Sequence, residues 1–152
     1  MQESSPPTLW TSAPGADQPP TQLTGYQSTN PSMSPDGKQI AFHFMDFGGK
    51  NPHWKLGLMD SQTHLLLNKL EFPMPVTQRQ TVWNPKNNLL TMAFGNGENS
   101  GLLLWSIADG TVQTLNDIDV DRIGAFAWSP DGNRLVFSQV FETSDVVSLD
   151  NF

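Results

Sequence analysis

The sequence predicts an all-β fold, a partial β-propeller of about three four-stranded blades in an open or incomplete ring. Three observations carry this. A strand, turn, strand unit at 125–137, AFAWSPDGNRLVF, recurs at 31–44 as PSMSPDGKQIAFHF and, degenerately, at 81–94 as TVWNPKNNLLTMAF. In each copy an apolar residue (Met33, Trp83, Trp128) stands two places before a proline (Pro35, Pro85, Pro130), and a second apolar run begins five places after it (Ile40, Leu90, Leu135). The prolines are 50 and then 45 residues apart, a period that fits radial repeats of several short strands. Proline presets φ for the first corner of the turn, Asp36 and Asp131 can accept hydrogen bonds from their own backbone, and Gly132 supplies a positive φ.

In chain order, residues 1–20 form a Ser/Pro-rich arm with Pro6, Pro7, Pro14, Pro19 and Pro20, through which no continuous helix can run. TLWT at 8–11 reads as a short strand and TQLT at 21–24 as a second. Together they resemble the last two strands of a blade whose first strands are absent, with Trp10 packing rather than offering a ligand platform. The propeller proper spans 21–152, with blades at about 26–70, 77–117 and 123–150. In the first, 40–45 is apolar on both faces except His43, as in a sheet covered on both sides. A Gly-containing loop at 46–52, a third strand at 54–60, a polar turn at 60–62 and an outer strand at 63–67 follow.

The second blade repeats this grammar with strands at 81–83, 89–94, 102–107 and 111–115, a Gly/Asn-rich loop at 95–101 and an ADG turn at 108–110. Lys86 and Asn87 replace the Asp-Gly of the other copies, and asparagine tolerates the left-handed position. The last blade reads as strands at 124–128, 134–140 and 145–149, with no fourth; the N-terminal strands offer themselves as its completion. Trp83 and Trp128 are expected between neighbouring sheets. Nothing has helical period and length.

Composition narrows the function. The net charge of −7 is uneven: up to Gly97 six acidic residues balance six basic ones, while from Glu98 onward nine face only Arg122 and Arg134. Such a surface repels a nucleic-acid backbone. There is no cysteine, hence no disulfide or thiolate chemistry. No leader pattern or apolar run near 18 residues is found, so no membrane contact by this segment is expected.

Catalytic and metal chemistry find no constellation. The three histidines, His43, His53 and His64, have no cysteine to join them, and His43 reads as a hydrogen-bonded packing residue. Asp117, Asp119 and Asp121 alternate as in a calcium loop, but Arg122 stands where a glycine is needed and Trp128 where a glutamate is needed. Ser34 and Ser129 precede proline in turns with no histidine partner, and no nucleotide-binding glycine loop occurs. No catalytic, cofactor-binding or metal residue is assigned, no cofactor is expected, and the chain reads as a non-enzyme.

The SPDG turns with their IAF and LVF strands resemble the repeats of TolB-like, WD40-like (PD40) bacterial β-propellers. The ending FAWSPDGNRLVFSQVFETSDVVSL is similar to the C-terminal blades of propellers appended to bacterial serine/threonine kinases and winged-helix regulators, through Trp128, Ser129, Pro130, Asp131, Gly132, Leu135 and 143–147. The resemblance covers about 23–149. It implies a sensory or protein-binding part, with kinase, DNA-binding or peptidase chemistry in other domains. It also implies a periplasmic setting within a larger protein, or a cytoplasmic one if the chain is complete. The expected partner is a protein, by self-association or through another propeller segment, with no nucleic acid; the loops at 46–52 and 95–101 are expected at one end as the partner face. The alternatives are a truncated remnant without independent function, or the non-catalytic propeller part of a peptidase-like or kinase-linked protein.

Overall fold

Alternating apolar residues bounded by Gly, Pro and Asx turns give strands and nothing else among the described residues. The computed structural model describes residues 5–13, 15, 17–72, 80–86, 88–94, 101–115 and 122–140. They hold twelve strands in four antiparallel sheets, none closed on itself. Strands β1 (Trp10–Thr11) and β2 (Thr21–Gln22) make the first, a two-stranded sheet. Strands β3 (Ser28–Met33), β4 (Gln39–Asp46), β5 (His53–Asp60) and β6 (Leu66–Leu70) make a four-stranded meander. A second meander follows from β7 (Thr81–Trp83), β8 (Leu89–Phe94), β9 (Gly101–Ser106) and β10 (Val112–Leu115). Strands β11 (Arg122–Trp128) and β12 (Leu135–Val140) form the last pair.

The sheets stack face to face in chain order through three apolar cores. Leu9 and Leu23 cover Ile40, Phe42, Phe44 and Met59. Ala41, Leu56 and Leu58 pack with Trp83, Leu90, Met92, Leu103 and Trp105 between the meanders. Ala93 and Leu102 meet Ile123 and Phe126 at the last junction. Both faces of each meander are therefore covered, which is why its central strands read as unbroken apolar runs. The first strands β3, β7 and β11 are neighbours along one edge of the stack. Inside the first meander, Gly57 stands opposite Phe42, whose ring occupies the space a side chain would take: a Cβ there would lie 2.6 Å from the ring.

The SPDG turns are built alike. Ser34 Oγ donates to Asp36 Oδ1 at 2.7 Å while accepting from Gln39 N, and Asp36 Oδ1 accepts from Lys38 N. Ser129 Oγ donates to Asp131 Oδ1 at 2.5 Å and accepts from Arg134 N, and Asp131 Oδ1 accepts from Asn133 N. Gly37 and Gly132 both adopt positive φ, +70° and +67°. In the degenerate copy Asn84 Oδ1 takes over by accepting from Lys86 N at 2.9 Å.

The structure corrects several expectations. The outer strand of the first meander is Leu66–Leu70, not 63–67. Asp60 Oδ1 accepts from Gln62 N, Thr63 N and Thr63 Oγ1, and His64 sits at φ +59°, so the chain is still turning where THLLL looked extended. Leu9, not Trp10, packs inward; Trp10 is exposed, its Nε1 donating to Thr8 Oγ1. The β1–β2 sheet lies on the first meander and does not pair with β11–β12. Two sheets have four described strands each, and β11–β12 supplies the first two strands expected of the third blade. The proposed strand at 145–149, the 117–121 alternation, the loop at 95–100 and Asn87 lie outside the described residues.

Candidate functional site

Among the described residues, two groups of chemistry-bearing side chains stand out, one at the junctions between sheets and one at the β4–β5 end of the first meander. At the first junction, Trp83 Nε1 donates to Ser32 O at 2.9 Å and His43 Nε2 is hydrogen-bonded to Thr81 Oγ1 at 2.6 Å. His43 is fully buried, its ring 5.2 Å from that of Phe72. At the second, Trp128 Nε1 donates to Thr91 Oγ1 at 2.9 Å, and the Gln80 amide donates to Phe126 O at 3.1 Å and accepts from Phe126 N. Asn84 Nδ2 donates to Gly132 O at 2.9 Å. Trp83 is buried as expected, whereas Trp128 is only half-buried. These groups hold sheets together: each buried donor or acceptor meets a partner across a junction that would otherwise desolvate it at a cost of about 1–3 kcal/mol.

The second group surrounds the 47–52 connection. Lys55 Nζ bridges Asp46 Oδ2 at 2.8 Å and Glu71 Oε1 at 2.5 Å, and His53 Nε2 lies 3.0 Å from Glu71 Oε2. Lys55 and Asp46 are largely covered, so their charges are held in place rather than waving in water. The Lys55 ammonium, helped by Gly48 N, pulls the Asp46 carboxyl down to about 2. The Asn51 carbonyl and then the Glu71 carboxylate raise His53 above the usual imidazole value. Beside this network Phe47 is exposed, and Lys69 Nζ lies 5.7 Å over the Phe44 ring.

Of the residues considered from sequence, Asp36 and Asp131 stand in separate turns, and His43, His53 and His64 do not converge. Among the described residues no group of three His, Cys, Asp or Glu could hold a metal ion, and no helix is long and apolar enough to cross a membrane. Sequence reasoning missed the Lys55 network, because Glu71 joins it only through the β5–β6 register. It also passed over Gln80 and Asn84. The latter had a signal, since Asn84 occupies the place of Ser34 and Ser129 in the repeat.

Comparison with known proteins agrees with this geometry at the level of fold. No protein-family model matches the chain, and no curated protein matches its sequence. Among solved structures, TolB from Acinetobacter baumannii superposes with a TM-score of 0.65 at 19% identity, over 84% of this chain and 31% of that one. The chain has a TolB-like, propeller-related fold. The dihydro-heme d1 dehydrogenase NirN in complex with DHE gives a TM-score of 0.51 at 20% identity, over 78% of this chain and 25% of that one. The chain thus spans less than a third of the length of either structure.

Proposed function

We propose that the chain is a non-enzymatic interaction or sensory module, a set of blades of TolB-like propeller type that belongs to a larger propeller and binds a protein at the β4–β5 end. One observation carries this reading: an exposed aromatic, Phe47, stands beside charges already fixed by Asp46, Lys55, His53 and Glu71. A preordered polar rim around an apolar anchor loses little entropy on docking, which is how interface hot spots are built. Ser34 and Ser129, the serines considered from sequence, are committed to turn hydrogen bonds with Asp36 and Asp131. The fraction of TolB that the chain covers supports the reading of a propeller part.

The test is site-specific photocrosslinking in the native host. A photoreactive phenylalanine analogue at position 47 should give a discrete covalent adduct, reduced by Lys55→Met, while the same group at exposed Leu67 on β6 should give none. Equal labelling at 47 and 67, or none at 47, overturns the assignment of this end.

A further inference from the structure

We infer that the two flanks of the stack are complementary, and that a second copy of this chain docks head to tail across them. The repeat supplies the argument. Six places after each turn proline stand Ala41, Thr91 and Val136; two places before it stand Met33, Trp83 and Trp128. Within the chain these positions meet across successive sheets. Trp83 shares a core with Ala41 and donates to Ser32 O, the cross-strand partner of Ala41. Trp128 donates to Thr91, the cross-strand partner of Val82.

Ala41 and Thr91 are accordingly 0% exposed and Trp83 only 6%. The two members left over are one of each kind. Val136, paired with Ala127 across β11–β12, is 68% exposed, and Met33 on β3 is 55% exposed. Val136 lies in an open apolar depression with Ala125, Ala127 and Ser138, where a following sheet would sit. Met33 stands where a preceding sheet would present its first strands, and the described strands before it, β1 and β2, are only a pair placed on the first meander.

The face of each kind is thus the partner of the other, not of itself. A second copy that brings Val136 and Ala127 over Met33 continues the junction already made twice inside the chain. The contact is heterologous, and two copies arranged by a twofold axis satisfy both flanks at once. This assembly is independent of the β4–β5 end: its failure leaves the Phe47 surface standing, and loss of crosslinking at 47 leaves the assembly standing.

Sedimentation velocity on the 152-residue chain tests it. The expected species has twice the 16.8 kDa mass of one chain. Val136→Glu and Met33→Glu, both at exposed positions, should each sediment as a folded monomer with unchanged circular dichroism. Mixing the two variants should restore a pair, because the mixture keeps one sound junction; Met33→Trp, which installs the residue used at the inner junctions, should tighten the wild-type pair. A wild-type monomer, a pair indifferent to both glutamates, a mixture that stays monomeric, or polydisperse aggregate overturns the proposal. If a glutamate unfolds the chain, Met33→Trp decides alone: no tightening overturns it.

Discussion

Gly132 and Gly37 occupy the same place in two copies of one turn and share a positive φ, yet their surroundings differ. A Cβ at Gly37 meets nothing within 4 Å, whereas at Gly132 it would stand 2.7 Å from Asn84 Oδ1 and 3.2 Å from Lys86 Cβ. Valine at 37 should therefore cost only the backbone term, about 1–2 kcal/mol, and valine at 132 about 1–3 kcal/mol more through displaced neighbours. Urea unfolding of both variants checks this, and equal losses would mean that the contact between turns contributes nothing. His53 gives a second test. Its folded value is raised by the Asn51 carbonyl and then Glu71, so the protonated ring is favoured by the fold. The associated stabilisation is complete below the ordinary value near 6.5 and fades as pH rises through the folded one. An NMR titration should place the His53 midpoint above 6.5, and Glu71→Gln should lower it; a midpoint unmoved by that change would remove Glu71 from the network.

At the scale of the element, the sequence was most legible where a strand is covered on both faces. Strands β4, β8 and β9 show apolar runs between punctuating turns, and β4 and β8 fall within one residue of their expected bounds. It was least legible where exposed strands carry apolar residues. Leu65 and Leu67 are exposed, so THLLL mimicked a strand while the Asp60 carboxylate was still organising the turn. Likewise the short β1 has Leu9 and Trp10 adjacent, and composition cannot say which faces the sheet. The tryptophan junctions were readable from the repeat, but their depth was not: burial depends on the sheet that follows. Trp83→Ala should cost about 3–5 kcal/mol and Trp128→Ala less, because Trp128 is only half-buried. Trp83→Phe keeps most of the bulk and drops the bond to Ser32 O, which should leave a loss of about 0.5–1.5 kcal/mol plus any packing defect. Denaturant midpoints that rank Trp83→Ala above Trp128→Ala would contradict the observed junctions.

Across the molecule, each sheet touches its neighbours in the stack, and the cores are separate clusters rather than one. Stability in such an array is approximately a sum of unit terms and nearest-neighbour junctions. The N-terminal segment belongs to this ledger through Leu9 and Leu23, which cover Ile40, Phe42, Phe44 and Met59, and through Leu9 N donating to the buried Thr24 Oγ1. Removing residues 1–24 uncovers that face of the first meander and leaves the Ile123 and Phe126 junction untouched. Amide exchange should therefore quicken in β4 and β5, where Phe42 and Phe44 lose their cover, with little change in β11 and β12. Leu9→Ala should show the same pattern in weaker form, at a cost of about 2–5 kcal/mol to the first meander. Uniform loss of protection from β3 to β12 would mean that the stack unfolds as one unit; loss concentrated in β11 and β12 would mean that the N-terminal strands complete the last sheet after all.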